Sequence, residues 1–131
     1  MSSDQDFLQK FENCSLSKED FSHEAHIRMA WLYIKHLPFD QALSKIRQGI
    51  NRFNQAQGNI TGYHETVTVS FARLIYNAFR SKPLLTWEEF RGEYPSLFDR
   101  DQPILHQYYR KETLALPHAC REFVAPDLQD L

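Results

Sequence analysis

FSHEAHIRMAWLYIKHL, residues 21–37, is the stretch on which the fold turns. His23, His26, Ile27, Ala30, Tyr33, Ile34 and Leu37 recur at the 3, 4, 7 spacing of one helical face. Met29, Trp31 and Leu32 widen the apolar surface beyond that stripe, which predicts a central helix packed on more than one side. Ser22 suits the N-cap and Glu24 the first turn. Pro38 disfavours helical geometry in the residue before it, so the helix should stop near Leu37. The stripe opens on two histidines rather than on aliphatic residues, and that sets the functional question.

Outward from this helix the pattern stays helical. Residues 4–13 predict a short amphipathic helix burying Phe7, Leu8 and Phe11. Residues 39–57 carry the most regular alternation of faces, with Phe39, Ala42, Leu43, Ile46, Ile50 and Phe53 inward and Gly58 as the left-handed residue after the end. Gly49 in its middle is expected where another helix passes closely. Asn59 to Thr61 predicts a turn, with Thr61 as N-cap of a helix running to about Ser81. Its stripe is read as His64, Val67, Thr68, Phe71, Leu74, Ile75 and Ala78. TVTVSF has strand propensity, but its continuation ARLIYNAF keeps helical spacing. Thr86 and Glu89 make a capping box for a short helix to about Glu93. Pro103 should open a further helix over QPILHQYYRKETL. Residues 115–131 read as a tail with one helical turn near His118, draped over the domain through Phe123 and Val124. The fold class is therefore all-α: one domain over residues 1–131, a helical bundle of four main helices plus one or two short helices and an irregular C-terminal tail.

Composition narrows the function classes. Apolar residues make up 42 % and aromatics 14 %, which places the chain outside the disordered class. Fifteen basic residues against seventeen acidic ones are interspersed, so the charge footprint of a nucleic-acid binder is missing. No apolar run reaches the roughly 20 residues that span a bilayer. The acidic, polar start resembles no secretory or transit signal, and Cys14 and Cys120 sit in no CxxC pair, so a cytoplasmic protein with ordinary thiols is expected.

Candidate chemistry rests on the histidines. Short connections reverse consecutive helices, so the His23 and His64 helices should run parallel and bring His23, His26 and His64 to one end, with Glu65 beside them. Neutral imidazoles at helix N-termini are suitable ligands for a transition metal, zinc or iron. On this reading the three histidines are metal ligands and Glu65 is a ligand or the catalytic general base of hydrolytic or oxidative chemistry. His106 or Cys14 could join them. HEAH is not the HExxH of metalloproteases, because its spacing is i, i+3. Trp31 and Tyr63 could wall a pocket. The competing reading is a non-enzymatic helical module that binds a protein partner or small ligand, with structural histidines.

FSHEAHIRMAWLYI, INRFNQAQGN, GYHETVT, LHQYYRKETL and PHACREFVAPDL together resemble a group of small bacterial proteins. The most distinctive pieces are Ser22-His23-x-x-His26 and Gly62-Tyr63-His64-Glu65-Thr66. The resemblance spans nearly the whole chain and implies a stand-alone cytoplasmic bacterial protein, without lending an activity. In outline the chain is also similar to metal-binding helical bundles with three histidines, a likeness of fold alone.

Overall fold

The structure is a computed structural model and describes residues 3–59 and 61–131. Among these, the chain forms five α-helices of seven residues or more, followed by short helical turns, with no strand. It divides into two compact units, Met1–Tyr63 and His64–Leu131. The expected turn at Asn59–Thr61 includes residue 60, which lies outside the described residues.

The first unit contains α1 (Ser3–Glu12), α2 (His23–His36) and α3 (Phe39–Ala56). The Ser22 side chain caps α2 by accepting from the Ala25 N–H. Leu37 ends the helix in extended geometry, as Pro38 requires. From Met29 to Ile34 every residue is buried, as expected of a central helix. Only Leu37 and Pro38 separate α2 from α3, and at the opposite ends the Phe21 and Phe53 rings lie 4.6 Å apart. The two helices therefore form an antiparallel hairpin.

Packing in this unit is aromatic and close. Phe11, fully buried on α1, lies 4.9 Å from Phe21 and 6.3 Å from Phe53. A Cβ placed on Gly49 would run into the Phe11 ring, so the glycine in mid-α3 allows α1 to approach. Arg28 holds Asp4 at 2.6 Å and covers the Phe7 ring. Tyr33 donates to Glu12 at 2.6 Å, and burial pushes its phenol pKa up.

Two helix ends use the same capping geometry with different residues. After α3 the left-handed residue is Gly58, with Asn59 N–H bonding back to Asn54 O. After α1 it is Cys14, at φ 61°, with Ser15 N–H bonding back to Lys10 O and Cys14 N–H to Phe11 O. Both are Schellman motifs. A side chain in this conformation carries strain of about 1–2 kcal/mol.

The second unit contains α4 (Glu65–Ser81) and α5 (Trp87–Glu93). After these come 3₁₀ turns at Pro95–Leu97, Ile104–Gln107 and Pro117–Cys120, and one α-helical turn, α6 (Lys111–Leu114). The Thr86–Glu89 capping box is present in full. Tyr94 donates to Ala78 O and ties the end of α5 to α4.

Three expectations are corrected here. The helix after the turn begins at Glu65, and its N-cap is His64, not Thr61. Its fully buried face includes Thr66, Val69, Ser70, Ala72, Leu74 and Ile75, whereas Val67, Thr68 and Phe71 are only half-buried. The stripe is thus turned about the helix axis relative to the one read from the sequence. The single helix expected over residues 102–114 is broken, because Arg110 is extended and its N–H goes to Asp127.

Gly49→Ala tests the close approach of α1 and α3. With Phe11 fully buried the ring has no room to yield, and overpacking of this kind costs about 1–3 kcal/mol. Urea denaturation should show a loss of that size, larger than the gain of about 1 kcal/mol that glycine removal brings to an open helix.

Candidate functional site

The head of α4 is where sequence and structure meet most densely. His64 stands at the N-cap, where a side chain must accept from an orphan N–H of the first turn. Its Nδ1 accepts from Val67 N–H at 3.2 Å. Its Nε2 lies 2.9 Å from the carbonyl oxygen of Leu114. A carbonyl can only accept, so Nε2 carries the proton and Nδ1 the lone pair. That tautomer uses both ring nitrogens in hydrogen bonds within the second unit.

One residue inside the helix, Thr66 is fully buried. Its hydroxyl proton is shared between the carbonyls of Ala119 at 2.8 Å and Glu122 at 3.0 Å. The same oxygen accepts from Val124 N–H at 3.1 Å. One turn further on, buried Ser70 donates to the Tyr109 hydroxyl at 3.1 Å, and Tyr109 donates to Val124 O at 2.6 Å. Burial raises the Tyr109 pKa and keeps the phenol a donor. One helical hydroxyl and one phenol, the latter held by Ser70, thus fasten the C-terminal chain by its backbone.

Beyond these contacts the tail is pinned by Asp127. Its carboxylate accepts from Arg110 N–H at 3.1 Å and from the Thr113 hydroxyl at 2.8 Å. Those bonds, Thr113 first, hold its pKa below the ordinary carboxylate value. Leu128 N–H bonds Tyr108 O, and Gln129 bonds Gln107 O. From Ala115 to Leu131 the only buried residue is Ala119. Phe123 is 39 % exposed, so the tail is attached mainly through polar contacts and not through the aromatic burial expected of Phe123.

His26 stands in the first unit. Its ring stacks on Phe21 with centroids 3.7 Å apart, and Nδ1 donates to Ser22 O at 2.8 Å. That bond puts the proton on Nδ1 and leaves Nε2 as the ring's acceptor. Desolvation by its neighbours pulls its pKa below 6.5, and the nearby His23 acts the same way. His23, the first residue of α2, is half-buried. Glu65, the first residue of α4, is half-buried and favourably placed for the helix dipole.

The structure therefore brings His23 and His26 together on one face of α2, while His64 serves the opening of the second unit. Among the described residues no group of three or more His, Cys, Asp or Glu side chains is placed to hold a metal ion. Cys14 directs its thiol toward Arg52 O at 3.9 Å, and His106 is exposed. Trp31 is a core residue, 1 % exposed. A groove of about 280 Å³ in the first unit is lined by Glu12, Lys45, Gln48 and Arg52, a mixed-charge set that sequence reading did not group. Thr66 and Ser70 were also missed. Their signal was a pair of hydroxyls at i, i+4 on one face of the helix.

No protein-family model, curated protein or solved structure matches this chain. No helix is long and apolar enough to cross a membrane among the described residues.

The lowered pKa of His26 has a definite sign. The folded state binds that proton less tightly than the unfolded chain, so stability is whole above the unfolded value of 6.5. It is lost as pH falls through 6.5 toward the lower folded value. Denaturation midpoints measured between about pH 7 and pH 5 should decline, and His26→Phe should flatten the decline while keeping the ring stack.

Proposed function

We propose that this chain is a non-enzymatic helical binding module of the cytoplasm in which the histidines are structural. The observation that carries this reading is the double commitment of His64. A metal at Nε2 would have to displace Leu114 O, and one at Nδ1 would uncap α4. Each displaced group lies in a part-buried setting, where an unmade hydrogen bond costs about 1–3 kcal/mol. The mixed-charge groove of the first unit suits a small polar ligand. A cytoplasmic setting agrees with two cysteines that form no disulfide.

A second reading keeps one specific support. His26 presents Nε2 as an acceptor beside His23, so a pair of ligands on α2 is compatible with zinc or iron completed by other donors. Elemental analysis of protein purified without a histidine tag separates the two. The structural reading expects well under one equivalent of transition metal per chain, unchanged in His26→Ala. One equivalent of metal that is lost in His26→Ala or His64→Ala would overturn it in favour of a metal-dependent protein.

A further inference from the structure

Thr66 on α4 and Tyr109 further along the chain read backbone, and Ser70 on α4 holds the Tyr109 hydroxyl. All three are buried; Thr66 meets the carbonyls of Ala119 and Glu122 and the N–H of Val124, and Tyr109 meets the carbonyl of Val124. Those groups come from a chain whose own side chains are almost all outside: Cys120, Arg121, Glu122 and Phe123 are exposed, and only Ala119 enters. A segment held this way has the local stability of its hydrogen bonds and little apolar burial to add. Were it to lift, buried hydroxyls would lose their partners, which strongly favours refilling the row.

We propose that the row Thr66–Ser70–Tyr109 is a backbone-reading groove which residues 119–124 fill as an internal peptide ligand, and that the same segment of a second copy of this chain can take its place. The fit of that occupant is already realised within the chain: Ala119 is the small residue the groove admits, and the carbonyl and N–H positions match the hydroxyls. Exchange of an identical element between copies needs no new complementarity. The clamp at Asp127, outside the groove, keeps the internal segment in place through Arg110 and Thr113. The inference rests on the reading of the chain as a binding module, yet its test measures peptide affinity and not metal content.

The probe is a fluorescent synthetic peptide with the sequence of residues 115–131, titrated by anisotropy against the full-length chain. In the unaltered protein the tethered segment competes at high effective concentration, so binding should be weak. Asp127→Ala loosens the tether and leaves Arg110 and Thr113 for the peptide's own carboxylate, so binding should tighten at least tenfold. Adding Thr66→Ser should keep that affinity, and adding Thr66→Val should weaken it at least tenfold. Where Thr66→Val lowers the helical circular dichroism, Tyr109→Phe takes its place with the same expectation, since it removes the hydroxyl that bonds Val124 O and Ser70 and keeps the ring. No saturable binding to Asp127→Ala, or affinity indifferent to Thr66→Val and Tyr109→Phe, would overturn the proposal.

Discussion

A single hydroxyl on the first turn of α4 organises the second unit. Thr66 Oγ1 contacts three backbone groups 53 to 58 residues further along the chain. Beyond the 3₁₀ turn at Pro117–Cys120 no helix or strand carries this part of the chain, so the remaining carbonyls and N–H groups find partners one by one. Thr66 supplies three of those contacts, Tyr109 another, and Asp127 fixes the chain beyond them. The adjacent His64 closes the arrangement by capping α4 with one nitrogen and holding Leu114 with the other. His64 and Thr66 of the GYHET stretch thus tie an irregular C-terminal chain to a helix start.

That arrangement changes the meaning of the histidine that the sequence singles out. An imidazole at a helix head, read from periodicity, has two nitrogens and no stated use, and a ligand role follows easily. Once each nitrogen has a partner, the same residue is a hydrogen-bonding joint. His26 differs, because its ring is packed against Phe21 and keeps an acceptor at Nε2. His26 and His23 are neighbours on α2, whereas both ring nitrogens of His64 are engaged in hydrogen bonds at the head of α4.

Local signals made most of the helical structure legible. Ser22, the Leu37–Pro38 junction, Gly58 and the Thr86–Glu89 box each act within a few residues, and each stands where its chemistry suggests. Gly49 was legible too, as a place of close approach, although only the structure names Phe11 as the partner. The head of α4 was not. Histidine is an unusual cap, and helical spacing can be continued backward through Gly62 and Thr61, which drew the start too early. The break at Arg110 and the attachment of residues 115–131 depend on bonds from Asp127 and Thr66, whose sequence separation leaves no periodic trace. The Thr66–Ser70 pair marks a polar spot on the helix, but the partners of Thr66 lie 53 to 58 residues further along and leave no local trace.

The central claim is that His64 holds the Val67 N–H at one ring nitrogen and Leu114 O at the other. Long-range proton–nitrogen correlation spectra of nitrogen-15-labelled protein report the tautomer of each histidine directly. Near pH 8 the account predicts His64 in the Nε2–H form and His26 in the Nδ1–H form. A His64 ring protonated at Nδ1, or one exchanging between the two forms as in an unstructured chain, would contradict it.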